Sequence, residues 1–156
     1  MNILVVYYSR SGATKKLAEE IRQKLNCDIE EIISQKDRSG IMGLFLCGQE
    51  ASKKIPADIK PVSKNISNYD LVIVGTPIWA GISSPIRRYL MDNAGNFKKI
   101  ALFCTMGGSD PAKTFAEAED ICQSKAVATL AVTGKEIVQK NYSERLNEFI
   151  EKIRNV

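Results

Sequence analysis

The sequence contains no histidine. That absence excludes Ser-His and Cys-His nucleophilic catalysis, and every metal site that relies on imidazole. The four cysteines, Cys27, Cys47, Cys104 and Cys122, are widely spaced with no CxxC pair. A zinc or iron–sulfur centre would need all four to converge from distant segments, so most of them are expected to be reduced, half-buried packing residues. No apolar run approaches the ~18 residues needed to cross a bilayer. The N-terminus also lacks a signal-peptide layout, because Ser9-Arg10-Ser11 follows too soon after Ile3-Leu4-Val5-Val6. A cytoplasmic protein without membrane association is the expectation. Basic residues are no denser than pairs such as Lys15-Lys16 and Arg87-Arg88, and the net charge is a modest +4, which gives nucleic acid little to hold. With these groups missing, redox or group-transfer chemistry has to come from a bound cofactor.

What is present reads as an ordinary folded chain. Its 156 residues, 44% hydrophobic and 26% charged, suit a single domain over residues 1–156 rather than a disordered segment. Short apolar runs alternate with amphipathic helical patterns, which predicts an α/β fold with a parallel sheet. Ile3 to Tyr8, Leu71 to Val74, Ile100 to Cys104 and about Val127 to Val132 read as strands buried on both faces. Asp28 to Ile33 mixes Glu30 and Glu31 with isoleucines and reads as an edge strand. Leu17, Ala18, Ile21 and Leu25 recur at helical spacing. Ser84-Pro85 and Asp110-Pro111 each read as an N-cap followed by a first-turn proline, and Asn141 or Ser143 opens a last helix carrying Leu146, Phe149, Ile150 and Ile153. From Gly40 an irregular helix is expected to run towards Lys54 and pack on the sheet, in preference to forming a dimer contact; Pro56 and Pro61 then mark a surface connection.

Three strand ends carry the candidate chemistry. The first strand runs into Ser9-Arg10-Ser11-Gly12-Ala13-Thr14 and at once into a helix. A helix N-terminus presents unpaired N–H groups and roughly half a positive charge, so hydroxyls and a glycine there suit a phosphate. The spacing is neither GxxxxGK[ST] nor GxGxxG, so neither a nucleoside triphosphate loop nor a dinucleotide pyrophosphate is indicated. The third strand runs into Thr76-Pro77-Ile78-Trp79-Ala80-Gly81, with the only tryptophan, and the fourth into Thr105-Met106-Gly107-Gly108-Ser109-Asp110. Ligands of open α/β sheets sit beyond the carboxyl ends of the strands. A phosphate cradle, a flat aromatic face and a glycine-rich loop together fit a ligand with one phosphate and a planar polar ring.

These segments resemble the FMN-binding loops of short-chain flavodoxins and flavodoxin-like oxidoreductases, whose phosphate loop reads [ST]-x-[ST]-G-x-T. The resemblance spans essentially the whole chain. It implies a three-layer α-β-α flavodoxin-like fold with a five-stranded parallel sheet in the order 2-1-3-4-5, and FMN as cofactor. Carried over by position, Ser9, Arg10, Ser11, Gly12, Ala13 and Thr14 would surround the phosphate. Thr76, Pro77, Ile78, Trp79, Ala80 and Gly81 would flank the isoalloxazine, with Trp79 stacked on it. Thr105, Met106, Gly107 and Gly108 would border its pyrimidine side.

The chain departs from flavodoxins in three ways: Ala80 stands where a glycine is common, the third loop has no aromatic to cover the second ring face, and the net charge is positive. Two functions share the site. One is an electron-transfer protein serving a redox partner protein or a small-molecule acceptor. The other is an NAD(P)H-dependent FMN oxidoreductase acting on quinone-like acceptors, which an uncovered flavin face suits. A phosphate-responsive receiver domain shares the fold, but Tyr7-Tyr8-Ser9 supplies none of the clustered aspartates it needs. A monomer and a homodimer both fit.

Overall fold

Along β1 (Ile3–Tyr7), Val5 and Tyr7 enter one hydrophobic cluster while Leu4 and Val6 enter another, and all four are buried. Side chains of a strand alternate between faces, so a strand apolar at every position needs cover on both sides. The computed structural model, which describes residues 1–156, provides it. Five parallel strands stand in the order β2-β1-β3-β4-β5, the remaining four being β2 (Asp28–Glu31), β3 (Leu71–Ile78), β4 (Ile100–Met106) and β5 (Ala126–Thr133). One face is covered by α1 (Ala13–Leu25) and the last helix, α6 (Ser143–Arg154), through Leu17, Ile21, Phe149 and Ile153. The other is covered by α3 (Ser84–Asp92) and α4 (Pro111–Cys122), through Ile86, Leu90, Ala118 and Cys122. The expected fold and strand order are both present.

Several boundaries differ from the sequence expectation, each for a local reason. β3 continues through Thr76 and Pro77 to Ile78, and β4 to Met106. A proline is accepted there because pairing to β1 ends at Tyr7–Gly75, leaving Pro77 paired only with Thr105 of β4. β5 is the second edge strand, and its burial alternates instead of being continuous. The N-cap of α3 is Ser83 rather than Ser84. Asp110 caps α4 as expected, its carboxylate accepting the Ala112 N–H at 2.9 Å. A short helix, α5 (Gly134–Gln139), precedes α6 and was not expected; Thr133 and Glu136 form a capping box at its start.

The larger departure is α2 (Gly40–Ser52). It forms, but none of its residues joins either core cluster. Gly43, Cys47, Glu50 and Ala51 are buried, while Ile41, Met42, Leu44 and Phe45 remain exposed, Ile41 at 86%. The expectation that this helix packs its apolar residues on the sheet is therefore corrected. Its buried stripe is built around an ion pair, with Arg38 reaching Glu50 at 2.6 Å. The cysteines also differ from expectation. All four are free thiols, but only Cys27 is half-buried, and burial pushes the Cys104 and Cys122 thiols up to about 12. No helix is long and apolar enough to cross a membrane.

Candidate functional site

The chain leaves β1 at Tyr7 and reaches α1 within a few residues, so it must reverse sharply. Gly12 makes the turn at φ 95°, ψ −11°, a left-handed conformation that costs an L side chain about 1–2 kcal/mol. No side chain caps α1; Ser9 Oγ instead accepts the Gly12 N–H at 3.1 Å, and no acidic residue stands in the helix's first turn. The first N–H groups of α1 therefore point out of the helix with no internal acceptor and no competing carboxylate. Thr14 is buried beneath them, its Oγ1 2.7 Å from Thr105 Oγ1 at the end of β4. This hydroxyl pair ties the first loop to the third.

The second loop is fixed from both sides. Ile78 and Ile82 form an antiparallel bridge, so Trp79-Ala80-Gly81 is a tight excursion between them. Gly81, at φ 144°, takes the glycine-favouring conformation, and Ala80 has no positive φ. The positive-φ residue of this loop is thus Gly81, and not Ala80 directly after the aromatic. Thr76 is buried, and its Oγ1 accepts the Ser83 N–H at 3.1 Å, which anchors the return of the loop into α3.

Residues from all three segments meet in one cleft of about 290 Å³: Arg10, Ser11, Ala13 and Thr14, then Pro77, Ile78 and Trp79, then Thr105, Met106 and Gly107. Gly134, at the start of α5, completes the lining and had not been anticipated. Ala80 and Gly81 border an adjoining cleft that shares Ile78. Ser9 lines a third depression, on the β2 side of Arg10. Gly12, Thr76 and Gly108 line none of the three. Trp79 is half-buried against the α3–α4 core, leaving part of its ring to the cleft. Gly107, in the same lining, and its neighbour Gly108 have open space where a Cβ would stand.

Arg10 does more than line the cleft. Its Nε donates to the Arg38 carbonyl at 2.9 Å and its guanidinium NH2 to the Gly40 carbonyl at 2.6 Å. The loop after β1 therefore holds the turn that begins α2. The donor set fits FMN: uncapped amides and hydroxyls for one phosphate, a half-exposed indole for a planar ring, and glycines where that ring needs room.

A family model for NADPH-dependent FMN reductases matches residues 1–150. The chain belongs to this family. A curated relative, the flavodoxin-like domain-containing protein BilS of Clostridioides difficile, is 30% identical over 146 residues, covering 94% of this chain and 70% of BilS. Among solved structures, a flavoprotein in complex with FMN from Lactobacillus acidophilus superposes with a TM-score of 0.71 at 21% identity, covering 88% of this chain and 97% of that one. The two-electron reduced flavodoxin of Megasphaera elsdenii gives 0.61 at 16% identity, with 99% of each chain covered. This member of the FMN reductase family is a flavodoxin-like FMN flavoprotein. Sequence reasoning missed Gly134, whose signal was the Thr133-Gly134-Lys135-Glu136 capping box. It also missed the Arg38–Glu50 pair, and Lys54, Lys113 and Glu117 beside the second and third loops, for which no local motif exists.

Proposed function

We propose that this chain is an NAD(P)H-dependent flavin oxidoreductase that passes electrons to a flat small molecule such as a quinone. The observation that carries the reading is the third loop. Gly107 and Gly108 are exposed, with nothing within 4 Å of a built Cβ, and no aromatic follows Met106 to cover a ring held against Trp79. The family name fits the same reading. Bound FMN supplies hydride acceptance and onward electron transfer. The chain's own residues bind and orient: the α1 amides, Ser11 and Thr14 fix the phosphate, Trp79 backs one ring face, and the glycine loop leaves the other accessible. The Tyr8, Cys104 and Cys122 acids are all pushed up to about 12, largely by burial, so none of them is a proton donor poised near neutral pH.

Anaerobic mixing of the FMN-loaded protein with NADPH or NADH tests this. Loss of the visible flavin absorbance, and its return on adding a quinone, is the expected result. No bleaching by either nicotinamide, with full bleaching by dithionite, would instead give the electron-shuttle function that shares this site.

Trp79→Ala is expected to weaken FMN binding while leaving the fold intact, since this ring is only half-buried. Loss of the stacked contact itself accounts for about 0.5–1.5 kcal/mol, with area burial adding to it. The wild-type tryptophan emission should fall as FMN is added. Unchanged emission, with Trp79→Ala unfolded, would make this residue a core packing element.

A further inference from the structure

The opening that adjoins the FMN cleft at Ile78 has a volume of about 390 Å³, larger than the cleft itself, and it carries charge that the flavin reading does not use. Ala80 and Gly81 form one wall; Lys54, just past α2, and Lys113, in the first turn of α4, stand around it with Glu117. Glu117 Oε1 lies 3.0 Å from Lys54 Nζ and 3.0 Å from the NH2 of Arg87, which is itself 4% exposed. Burial alone would raise the Glu117 carboxyl, but hydrogen bonds from Lys54 and Arg87 outweigh it and hold it below its usual range, so it stays ionised. Asp110, the other carboxylate of the opening, accepts the Ala112 N–H.

Two lysines and two carboxylates line the opening; Arg87, buried outside that lining, shares Glu117 with Lys54, and Asp110 is taken up by the start of α4. Lys113 forms no ion pair, and the Arg87 Nε is buried without an acceptor. The backbone of Lys54 is held in the left-handed region at φ 56°, its N–H donating to the Ala51 carbonyl. One lysine comes from the segment just past α2 and the other from α4, so the two lysines stand on different elements around the opening.

We infer that this opening is an anion subsite for the molecule that exchanges electrons with the flavin. It takes a carboxylate or phosphate group near Lys54 and Lys113 while the flat part of that molecule reaches the FMN cleft past Ile78. The inference rests on the oxidoreductase reading for its ligand, and it identifies that ligand as anionic. The anion can belong to the acceptor or to the phosphates of a nicotinamide dinucleotide; the chemistry recognised is the same.

Calorimetric titration of the FMN-loaded protein with naphthoate and with naphthamide, which share a ring system and differ in charge, tests it. Naphthoate is expected to bind on the order of tenfold more tightly, as a charge-assisted contact allows. The Lys54→Gln/Lys113→Gln double variant should lose that preference and leave naphthamide unaffected; both side chains are exposed, and thermal unfolding checks the fold. Titration with NADP⁺ and NAD⁺ assigns the source. Selective weakening of NADP⁺ in the double variant places a dinucleotide phosphate at the lysines, and a change confined to naphthoate places the acceptor's own acid there. Equal affinity for naphthoate and naphthamide in the wild type, or a preference that survives in the double variant, overturns the subsite. None of these titrations needs turnover. A protein that prefers naphthoate yet is not reduced by NADPH would therefore refute the oxidoreductase reading alone.

Discussion

Replacing Glu50 with leucine is expected to destabilise the fold by roughly 3–5 kcal/mol, the range found when one partner of a buried ion pair is removed. The Arg38 side chain is 3% exposed and that of Glu50 9%, with 2.6 Å between their nearest nitrogen and oxygen. Without the carboxylate, the guanidinium keeps Ser34 Oγ at 2.8 Å and the Cys47 sulfur at 3.8 Å, neither of which carries a compensating charge. The backbone cannot move away easily. A Cβ on Gly43 would stand 2.1 Å from the Arg38 carbonyl, so α2 is seated directly on this residue. Urea unfolding of the wild type, Glu50→Leu and the Arg38→Met/Glu50→Leu double variant gives the measurement. The double variant, with no charge left to strand, should recover most of the loss. A Glu50→Leu protein within about 1 kcal/mol of wild type would mean that water reaches the pair and screens it, as for a surface ion pair. Because Arg10 binds the carbonyls of Arg38 and Gly40, the same variant is also expected to loosen the phosphate loop and lower FMN affinity.

This pair also shows where the sequence stops being informative. The sheet and the helices on either side of it were legible because β1, β3 and β4 are apolar at nearly every position, and only a doubly covered parallel sheet accepts such strands. The three segments that meet in the candidate cleft stood out because glycines, hydroxyls and an isolated tryptophan sit where strands end. By contrast, α2 is the most apolar helix by composition and still leaves Ile41, Met42 and Phe45 in solvent, since its position is set by Arg38 and Glu50. Two charges twelve residues apart give no periodic signal. Edge status hid β5 in the same way: Val127 to Val132 reads as continuous core, but only its inward positions are covered, because no strand lies beyond it. Lys54, Lys113, Glu117 and Arg87 come from the segment just past α2, from α4 and from α3, and tertiary packing alone brings them together.

The Thr14–Thr105 hydroxyl pair in the candidate cleft allows a structural role to be separated from a binding role. Thr14 is 1% exposed and Thr105 5%, and their Oγ1 atoms are 2.7 Å apart, so each satisfies the other in the folded protein. Thr14→Val keeps the shape and strands the Thr105 hydroxyl, which is expected to cost about 1–3 kcal/mol of stability; Thr105→Val should do the same to Thr14. In the Thr14→Val/Thr105→Val double variant both partners are gone, and a matched pair of methyl groups is expected to return the stability of the flavin-free protein close to wild type. FMN affinity should behave differently. If the Thr14 hydroxyl donates to the phosphate, a charge-assisted bond of about 1.5–3 kcal/mol is missing from Thr14→Val and from the double variant alike, roughly ten- to a hundredfold in affinity. Riboflavin, which lacks the phosphate, should bind all of these variants about equally. Chemical denaturation of the flavin-free proteins, together with fluorescence titration by FMN and by riboflavin, gives both quantities from the same samples. Stability that recovers in the double variant while FMN affinity does not would assign Thr14 to the phosphate. Recovery of both would make the pair a structural tie between α1 and β4, with the α1 amides and Ser11 left to hold the phosphate.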